Sequence, residues 1–426
     1  MGESDSGRKN FKRSAAYPNG STAAMRGAVI EVLSVLKVAT ADQLHRIINP
    51  ELTDSRFVRH ALLDLQRHQI TASDGRTPTR HKIWRLTGPG LDSATAVREN
   101  GPATGGTAKG AGLTGAPHAM AVNEAIIACL PDTGTIASWT TEVEHPIATR
   151  QVVRTDAVLQ APELGLPVVF FETDRGTMKE SLVAAKIPRY LDYLTRNVRT
   201  SGGDDVLHWH RLYGRPDHSA DKQHPPIALV FDGGTRLGPT ALHNRIDRIG
   251  DLTHQHWGSR PYRVGYEIEP LCRDYSGTVP LLATTLDRLQ CHGLTDGPTW
   301  WRYGHDTWEP LAQALANPDG YAAYLRRCED ERAEKQRREA ERKEAERQRQ
   351  AAREQAQQRR EAAQRAVEQG ERPDIAQIWA RRQVGPDGSI TFPDLDQAAD
   401  PQPSTTPPLA PPAPAPPAPR RRFFRP

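Results

Sequence analysis

The stretch VVFFETDRGT, Val168–Thr177, sets a run of large apolar residues directly against two carboxylates spaced two apart. A short continuous apolar run reads as a buried strand. Side chains alternate along a strand, so Glu172 and Asp174 project the same way from its end. Just upstream, QVVRTDAVLQ forms a second strand-like run, and the short proline- and glycine-containing loop APELGL makes an antiparallel hairpin the economical connection. Such a hairpin allows Asp156 to converge with Glu172 and Asp174 on one face. Close carboxylates repel unless a cation or a proton neutralises them. Any fold containing this hairpin must therefore compensate its own strand ends.

Strand-like runs, among them RTDAVL, LPVVFFE, IALVFD and YRVGYEIE, alternate with amphipathic segments between His118 and Leu325, which is the pattern of a mixed α/β domain. Around it the chain divides by composition. Residues 1–21 are polar and expected to be disordered. Residues 22–99 form a small first domain, and the glycine-rich stretch 100–117 is a linker. The α/β domain then covers 118–325, a charged helix 326–370, and a proline-rich tail 371–426 that ends RRRFFRP and offers arginines to protein or nucleic acid. The 35 prolines and a hydrophobic content of 37% place much of the chain outside a core.

Between Glu329 and Gln369 nearly every residue is a strong helix former, with opposite charges at i and i+4 such as Glu339 with Lys343. Large apolar residues are missing from the positions a coiled coil would need, which favours a single solvated helix. Cysteines 129, 272, 291 and 328 form no C-x-x-C pair, so neither a disulfide framework nor a structural zinc site is indicated. The first twenty residues lack the apolar stretch of a secretory signal, and no run of 18 apolar residues follows. The expectation is a cytoplasmic protein without a membrane segment. A net charge of +4 admits phosphate-bearing partners without establishing them.

Residues 22–91 hold three helical patterns followed by two strand-like runs. The first helix is TAAMRGAVIEVLSVLKV, the second opens on a capping box of Thr40 and Gln43, and the third follows a Thr53-Asp54 cap. The third helix buries Val58, Leu62 and Leu65 and presents Arg56, Arg59, His60 and Arg67 on its other side. ITAS, a turn at Asp74-Gly75 and HKIWRLT then make a hairpin carrying Arg76, Arg80, Lys82 and Arg85. Three helices and a basic hairpin look like a winged helix-turn-helix, whose third helix enters the major groove of double-stranded DNA while the hairpin lies along phosphates. A helical domain that holds a protein partner is the alternative.

Upstream of the acids, the helix HAMAVNEAIIACL presents Glu124. Downstream, a helix with apolar positions Leu182, Val183, Leu191 and Leu194 carries Lys186 within reach of the strand ends. Glu124, Asp156 and Glu172 are thus candidate ligands for Mg²⁺ or Mn²⁺, which favour oxygen donors. Asp174 completes the set of carboxylates, and Lys186 is their candidate cation. This order of a helix with Glu, a strand with Asp, a strand with Glu-x-Asp and a helix with Lys resembles the PD-(D/E)XK nuclease superfamily. The winged helix combined with RTDAVL, FFETDRGT and KIPRYLDYL more closely resembles the actinobacterial replication-relaxation family over about residues 22 to 310. The resemblance implies a restriction-endonuclease-like α/β domain and a setting in plasmid replication and the topological relaxation of plasmid DNA. It also implies that Asp156 and Glu172 are the metal ligands. The superfamily's lysine two residues after the glutamate is replaced here by Asp174, with Lys186 as its substitute and Arg175 or Lys179 as weaker ones. Threonine stands at 155 in place of the family-type proline.

Three functions remain open at this level. One is a DNA-binding protein of plasmid or mobile-element maintenance whose nuclease-like domain is degenerate. Another is an active metal-dependent endonuclease or nickase, and the third a regulatory or scaffolding protein without chemistry. No G-x-x-x-x-G-K-[ST] loop is present, which disfavours an ATP-driven motor. His208, His210 and His218 form a weak metal candidate, and Trp300, Trp301 and Trp308 fit a core better than a stacking platform.

Overall fold

A computed structural model describes residues 14–97, 115–131, 136–216, 223–233, 236–264, 266–369, 382–384 and 390–391. The greater part of the glycine-rich stretch 100–117 and of the tail lies outside these residues. The chain divides into one compact unit through Asp330 and a second from Glu331.

The first unit opens with α1 (Ala23–Leu36), β1 (Val38–Thr40), α2 (Ala41–Ile48), α3 (Arg56–Arg67), β2 (Thr71–Arg76), β3 (Lys82–Leu86) and α4 (Gly88–Val97). Thr22 caps α1 by accepting from Met25 N, and the Thr40–Gln43 capping box forms in both directions. Ahead of α3, Asp54 accepts from Arg56 N at 2.8 Å. The strands form a small antiparallel sheet in the order β1-β3-β2. Its hairpin turns at Thr77–His81 instead of Asp74-Gly75, since Thr77 N donates to His81 O and Arg80 N to Thr77 O. Gly75, at φ 89°, sits inside β2 where the register shifts between Ser73 and Arg76, so it makes a bulge.

Residues 14–21, expected to be without structure, hold to α3. Asp64 is fully buried and accepts four hydrogen bonds, from Asn19 N and Nδ2 and from Ser21 N and Oγ, at 2.6 to 3.1 Å. Burial works against its ionisation, yet these donors hold the carboxylate below the usual range.

Next come α5 (Ala116–Cys129), β4 (Ser138–Ala148), β5 (Gln151–Ala161), β6 (Leu166–Asp174), α6 (Glu180–Ala184), α7 (Lys186–Leu194), the short pair β7 (Asn197–Arg199) and β8 (Asp205–Leu207), and α8 (His208–Tyr213). The unit continues through β9 (Ile227–Phe231), α9 (Pro239–Trp257), the hairpin β10 (Arg260–Val264) and β11 (Glu267–Asp274), β12 (Leu281–Thr285), α10 (Leu286–His292), β13 (Trp300–Arg302), β14 (Trp308–Glu309) and α11 (Leu311–Leu315). Seven strands form one mixed sheet in the order β14-β13-β12-β9-β6-β5-β4. β6, β9 and β12 run parallel at its centre, and β5 pairs antiparallel with β6. The central strands are buried on both faces, as parallel strands covered by crossover helices require. Val169 and Phe171 pack with α5 and α10, while Val168 and Phe170 pack with α7 and α9.

The small N-terminal sheet and helices share one apolar cluster with the α5 face of the large sheet. Polar contacts fix the same junction: Asn123 Nδ2 donates to Val38 O and Gln43 Oε1, and Thr141 Oγ1 to Val35 O. α12 (Tyr321–Glu368), a 48-residue helix, begins in the first unit and runs on into the second; it is exposed from Glu329 through Ala362 and carries i,i+4 pairs such as Glu339–Lys343 at 2.8 Å.

Candidate functional site

The ladder between β5 and β6 reaches Ala157 opposite Phe171, and Asp156 and Glu172 are the next residue on each strand. Both acids are buried, at 9% and 3% exposure. Asp156 Oδ2 accepts from the backbone N of Thr173 at 2.8 Å, and His118 Nε2, from the first turn of α5, lies 3.2 Å from Oδ1. Glu172 Oε2 is bound by Lys186 Nζ, at the start of α7, and Oε1 by the hydroxyl of Tyr190 one turn later. Tyr190 also stands 2.9 Å from Thr155 Oγ1, which approaches Nδ1 of the fully buried His145. Partners from α5, β6 and α7 therefore hold the two carboxylates.

The electrostatics follow from that packing. Burial pushes Glu172 up to about 8, and the charge on Asp156 adds to the effect, although Lys186 and Tyr190 pull the other way. Burial also opposes ionisation of Asp156, yet the His118 hydrogen bond and the charge of Lys186 hold it below the usual carboxylate range. Lys186 is burdened by burial too, but Glu172 and Asp156 keep it firmly protonated. For His118 the bond to Asp156 raises the ring's affinity for a proton, with burial opposing.

Asp174 does not join them. Although it leaves β6 on the same side as Glu172, Arg245 of α9 grips it through Nε at 2.5 Å and Nη2 at 3.1 Å. The same guanidinium also reaches Glu180 Oε1 and Met178 O. Both residues are buried, and Gly176 N closes the turn by donating to Asp174 Oδ1. A side chain at Gly176, with φ at 65°, would meet Leu237 at 2.5 Å. Asp174 thus serves as a brace between β6 and α9.

Glu124 is spoken for as well. Its Oε1 accepts from Arg46 Nη2 at 2.5 Å and Gln43 Nε2 at 2.9 Å, and Oε2 from Gln290 at 3.3 Å. Among the described residues no group of three or more His, Cys, Asp or Glu stands ready for a metal ion. The four-carboxylate set therefore does not fit an ion. The remaining pair, Asp156 and Glu172, stands together at the strand ends with its oxygens engaged by Thr173 N, His118, Lys186 and Tyr190. His208 and His210 lie on α8, where residues two apart diverge, and His218 lies outside the described residues. Trp300 is a core residue whose Nε1 donates to Leu294 O.

On α3, Arg56 and Arg59 are 58% exposed and, among the described residues, share Asp54 as their one carboxylate, at 3.7 and 3.4 Å. Arg67 is exposed, His60 half-buried, and Phe57 lies open beside Arg56. Along the hairpin Arg76, Arg80 and Lys82 are exposed, whereas Arg85 is drawn in to Asp74 and only 13% exposed. The hairpin turn and α5 approach each other, since Thr77, Thr79, His81, Pro117 and Glu124 line one 390 Å³ cavity.

The α3 surface and the acids with their lysine fall inside one segment of sequence. Residues 30–206 match the replication-relaxation family. That match, under half of the chain, begins within α1 and ends at β8. The replication-relaxation segment therefore contains α3, the basic hairpin, Asp156, Glu172 and Lys186, while Arg245 lies beyond it. No curated protein and no solved structure matches the chain. His118 and Tyr190 were not singled out from the sequence; the only local signals were a histidine at a helix start and a tyrosine one turn after Lys186. Among the described residues no helix is long and apolar enough to cross a membrane.

Proposed function

We propose that the chain binds double-stranded DNA in the replication and topological relaxation of plasmid or mobile-element DNA. In this reading α1 to β3 act as a winged helix, α3 enters the major groove, and the β2–β3 hairpin lies along the backbone. The observation that carries it is the exposed cationic side of α3, whose Arg56 and Arg59 share a single carboxylate, within a segment matched to the replication-relaxation family. Arginines that protein carboxylates do not saturate keep their bidentate hydrogen bonds for guanine or phosphate. α1, β1 and α2 pack against β4 and α5, whereas Arg56, Arg59, Arg76, Arg80 and Lys82 stay exposed. The test is anisotropy of a labelled duplex across a salt series. Affinity should fall steeply as salt rises. A flat salt response, with a protein partner competing for α3, would instead favour the scaffolding alternative.

A second reading, phosphodiester cleavage by a PD-(D/E)XK nuclease-like domain, draws on the convergence of Lys186 with Asp156 and Glu172. Asp156 and Glu172 are the residues that would hold Mg²⁺ or Mn²⁺, which when bound polarises a phosphoryl oxygen and acidifies a water. The protein's own part is to orient the pair. Thr173 N and His118 fix Asp156, Tyr190 fixes Glu172, and the Lys186 ammonium supplies positive charge beside them. Supercoiled plasmid incubated with either cation should be nicked or cut by the parent chain and left intact by Asp156→Ala, Glu172→Ala and Lys186→Ala. Equal products from parent and variants would sink the second reading and leave the first untouched.

A further inference from the structure

We infer that the cleft between the carboxyl ends of β9 and β12 is a binding site for a nucleobase that carries an exocyclic amine. A cavity of 540 Å³ opens there, a size at which small-ligand sites are found. Its place follows from the topology. β9 and β12 are parallel neighbours, yet α9 leaves β9 toward the face of Val168 and Phe170, whereas α10 leaves β12 toward the face of Val169 and Phe171. Connections that part to opposite faces leave a crevice at the strand ends, which is where open α/β sheets hold their ligands. The cavity is distinct from the Asp156 and Glu172 site, since neither acid lines it. It lies next along the sheet, where Asp232 N donates to Asp174 O at 2.9 Å.

The lining sets the chemistry of the occupant. Asp232 and Asp287 enter from the two strand ends. Arg175 Nε stands 3.6 Å from Asp232, beyond hydrogen-bond distance, and Asp287 is exposed in the first turn of α10. A carboxylate accepts hydrogen bonds and donates none. Two of them also turn a phosphate away from the interior. Leu242, Ile246 and Leu286 supply apolar walls, and Trp308 closes the rim with the Arg288 guanidinium 4.1 Å over its ring. α9 opens on Gly238 and Pro239 without a side-chain cap, so N–H groups of its first turn are left for an acceptor. A simple amine would meet the carboxylates but oppose that positive helix end. A flat uncharged ring with an amine on one edge and acceptors beside it satisfies acids, walls and helix start together. Cytosine, adenine and guanine have this pattern, whereas thymine and uracil present a carbonyl where the amine would be and set oxygen against oxygen.

The experiment titrates the full chain calorimetrically at neutral pH with deoxycytidine and thymidine, and separately with single-stranded oligodeoxycytidine and oligothymidine. The cytosine probe should bind more tightly than the thymine probe by roughly 5- to 150-fold, the weight of one well-formed edge contact. Asp232→Asn and Asp287→Asn each set a donor among the acceptors and should shrink that ratio, which bulk charge does not move. Gly238, at φ −69°, has open space where a Cβ would stand. Gly238→Leu should therefore obstruct the cavity and abolish the preference in a chain that melts near the parent temperature. Preference among the free nucleosides alone would assign the site to a soluble nucleotide, and preference among the oligonucleotides alone to a base turned out of a strand; either supports it. Equal binding of the cytosine and thymine probes would overturn it. So would a preference that survives both aspartate variants and Gly238→Leu, or no binding of any probe at millimolar concentration. Duplex affinity plays no part in these outcomes, so the site stands or falls separately from the DNA-binding reading.

Discussion

The end of β6 and the outer side of α3 hold their charges under opposite conditions. At the strand end, Glu172 and Asp174 are buried, and each is met by a cation from a following helix, Lys186 or Arg245. On α3, Arg56 and Arg59 are more than half exposed and share one carboxylate at 3.4 Å or more. Buried pairs must be complete, because an unpaired charge in the interior is costly. Exposed ones contribute little to stability and remain available to a partner. The comparison also separates two acids on one strand: Asp174 is closed off by Arg245 and Glu180, whereas Glu172 shares its site with Lys186, 29% exposed, and with His118, 43% exposed at the neighbouring Asp156. Both carboxylates are equally buried, and the difference lies in the partners, since Lys186 and His118 are partly exposed while Arg245 is buried.

The largest effect should come from Arg245→Ala. It strands Asp174 in the core and should cost about 3–5 kcal/mol, read as a fall in the denaturant midpoint. The match to the replication-relaxation family stops short of Arg245, and DNA affinity in the folded fraction should be unchanged. A loss below about 1 kcal/mol would show that the brace behaves like a surface pair, and the contrast between the two regions would collapse.

Glu172 gives the next largest effect and a direction in pH. Its folded-state value near 8 lies above the unfolded value of 4.5, so the folded protein binds the extra proton between them. The stabilisation this brings is complete below about pH 4.5 and is lost as pH rises through about 8, at no more than about 1.4 kcal/mol per pH unit. Glutamine mimics the protonated acid. Glu172→Gln should therefore gain stability relative to the parent as pH rises across that window, as thermal melts at several pH values will show. A constant difference would mean that Lys186 keeps Glu172 ionised throughout. Asp64 has the opposite sign: its lowered value makes its contribution present above 3.8 and lost as pH falls.

The α3 surface should respond in binding instead of stability. Arg56→Ala with Arg59→Ala should weaken duplex affinity by about 1–3 kcal/mol for a base contact, or reduce the salt slope by about 1 for each phosphate contact, with the melt unchanged. A shifted melt without a change in affinity would place these arginines in the fold.

Much of this arrangement was legible in the sequence where the cause is local. The Thr40–Gln43 capping box is a matter of four residues, the β5–β6 hairpin follows from apolar runs joined by a short loop, and Lys186 could be matched to Glu172 because only a turn and the short α6 separate them. What could not be read depends on distant partners. Arg245 is 71 residues from Asp174, and nothing in its own helix distinguishes it from the exposed arginines nearby. Glu124 was correctly put on a helix between apolar neighbours, but its partners Gln43 and Arg46 come from across the glycine-rich stretch. Asp64 is an acid on a basic helix that no local pattern marks, and only packing brings residues 19 and 21 to it. The Asp74-Gly75 pair has the composition of a turn; the bond from Arg85 to Asp74 and the reverse turn at Thr77–His81 made it a bulge.

The smallest effects test the comparison within the hairpin itself. Arg80 and Arg85 were equivalent as basic residues of one β-ribbon, but Arg80 is exposed, whereas Arg85 is bound to Asp74 and also donates to Leu86 O. Arg80→Ala should lower duplex affinity by the weight of one phosphate contact, a slope change of about 1, and leave the melt in place. Arg85→Ala should do the reverse. Asp74 remains 37% exposed and can be hydrated, so its lost partner should cost below about 1 kcal/mol. If both variants weakened binding equally, the guanidinium of Arg85 would have to leave Asp74 when DNA arrives, and burial would no longer mark which charges of this chain are committed to its own fold.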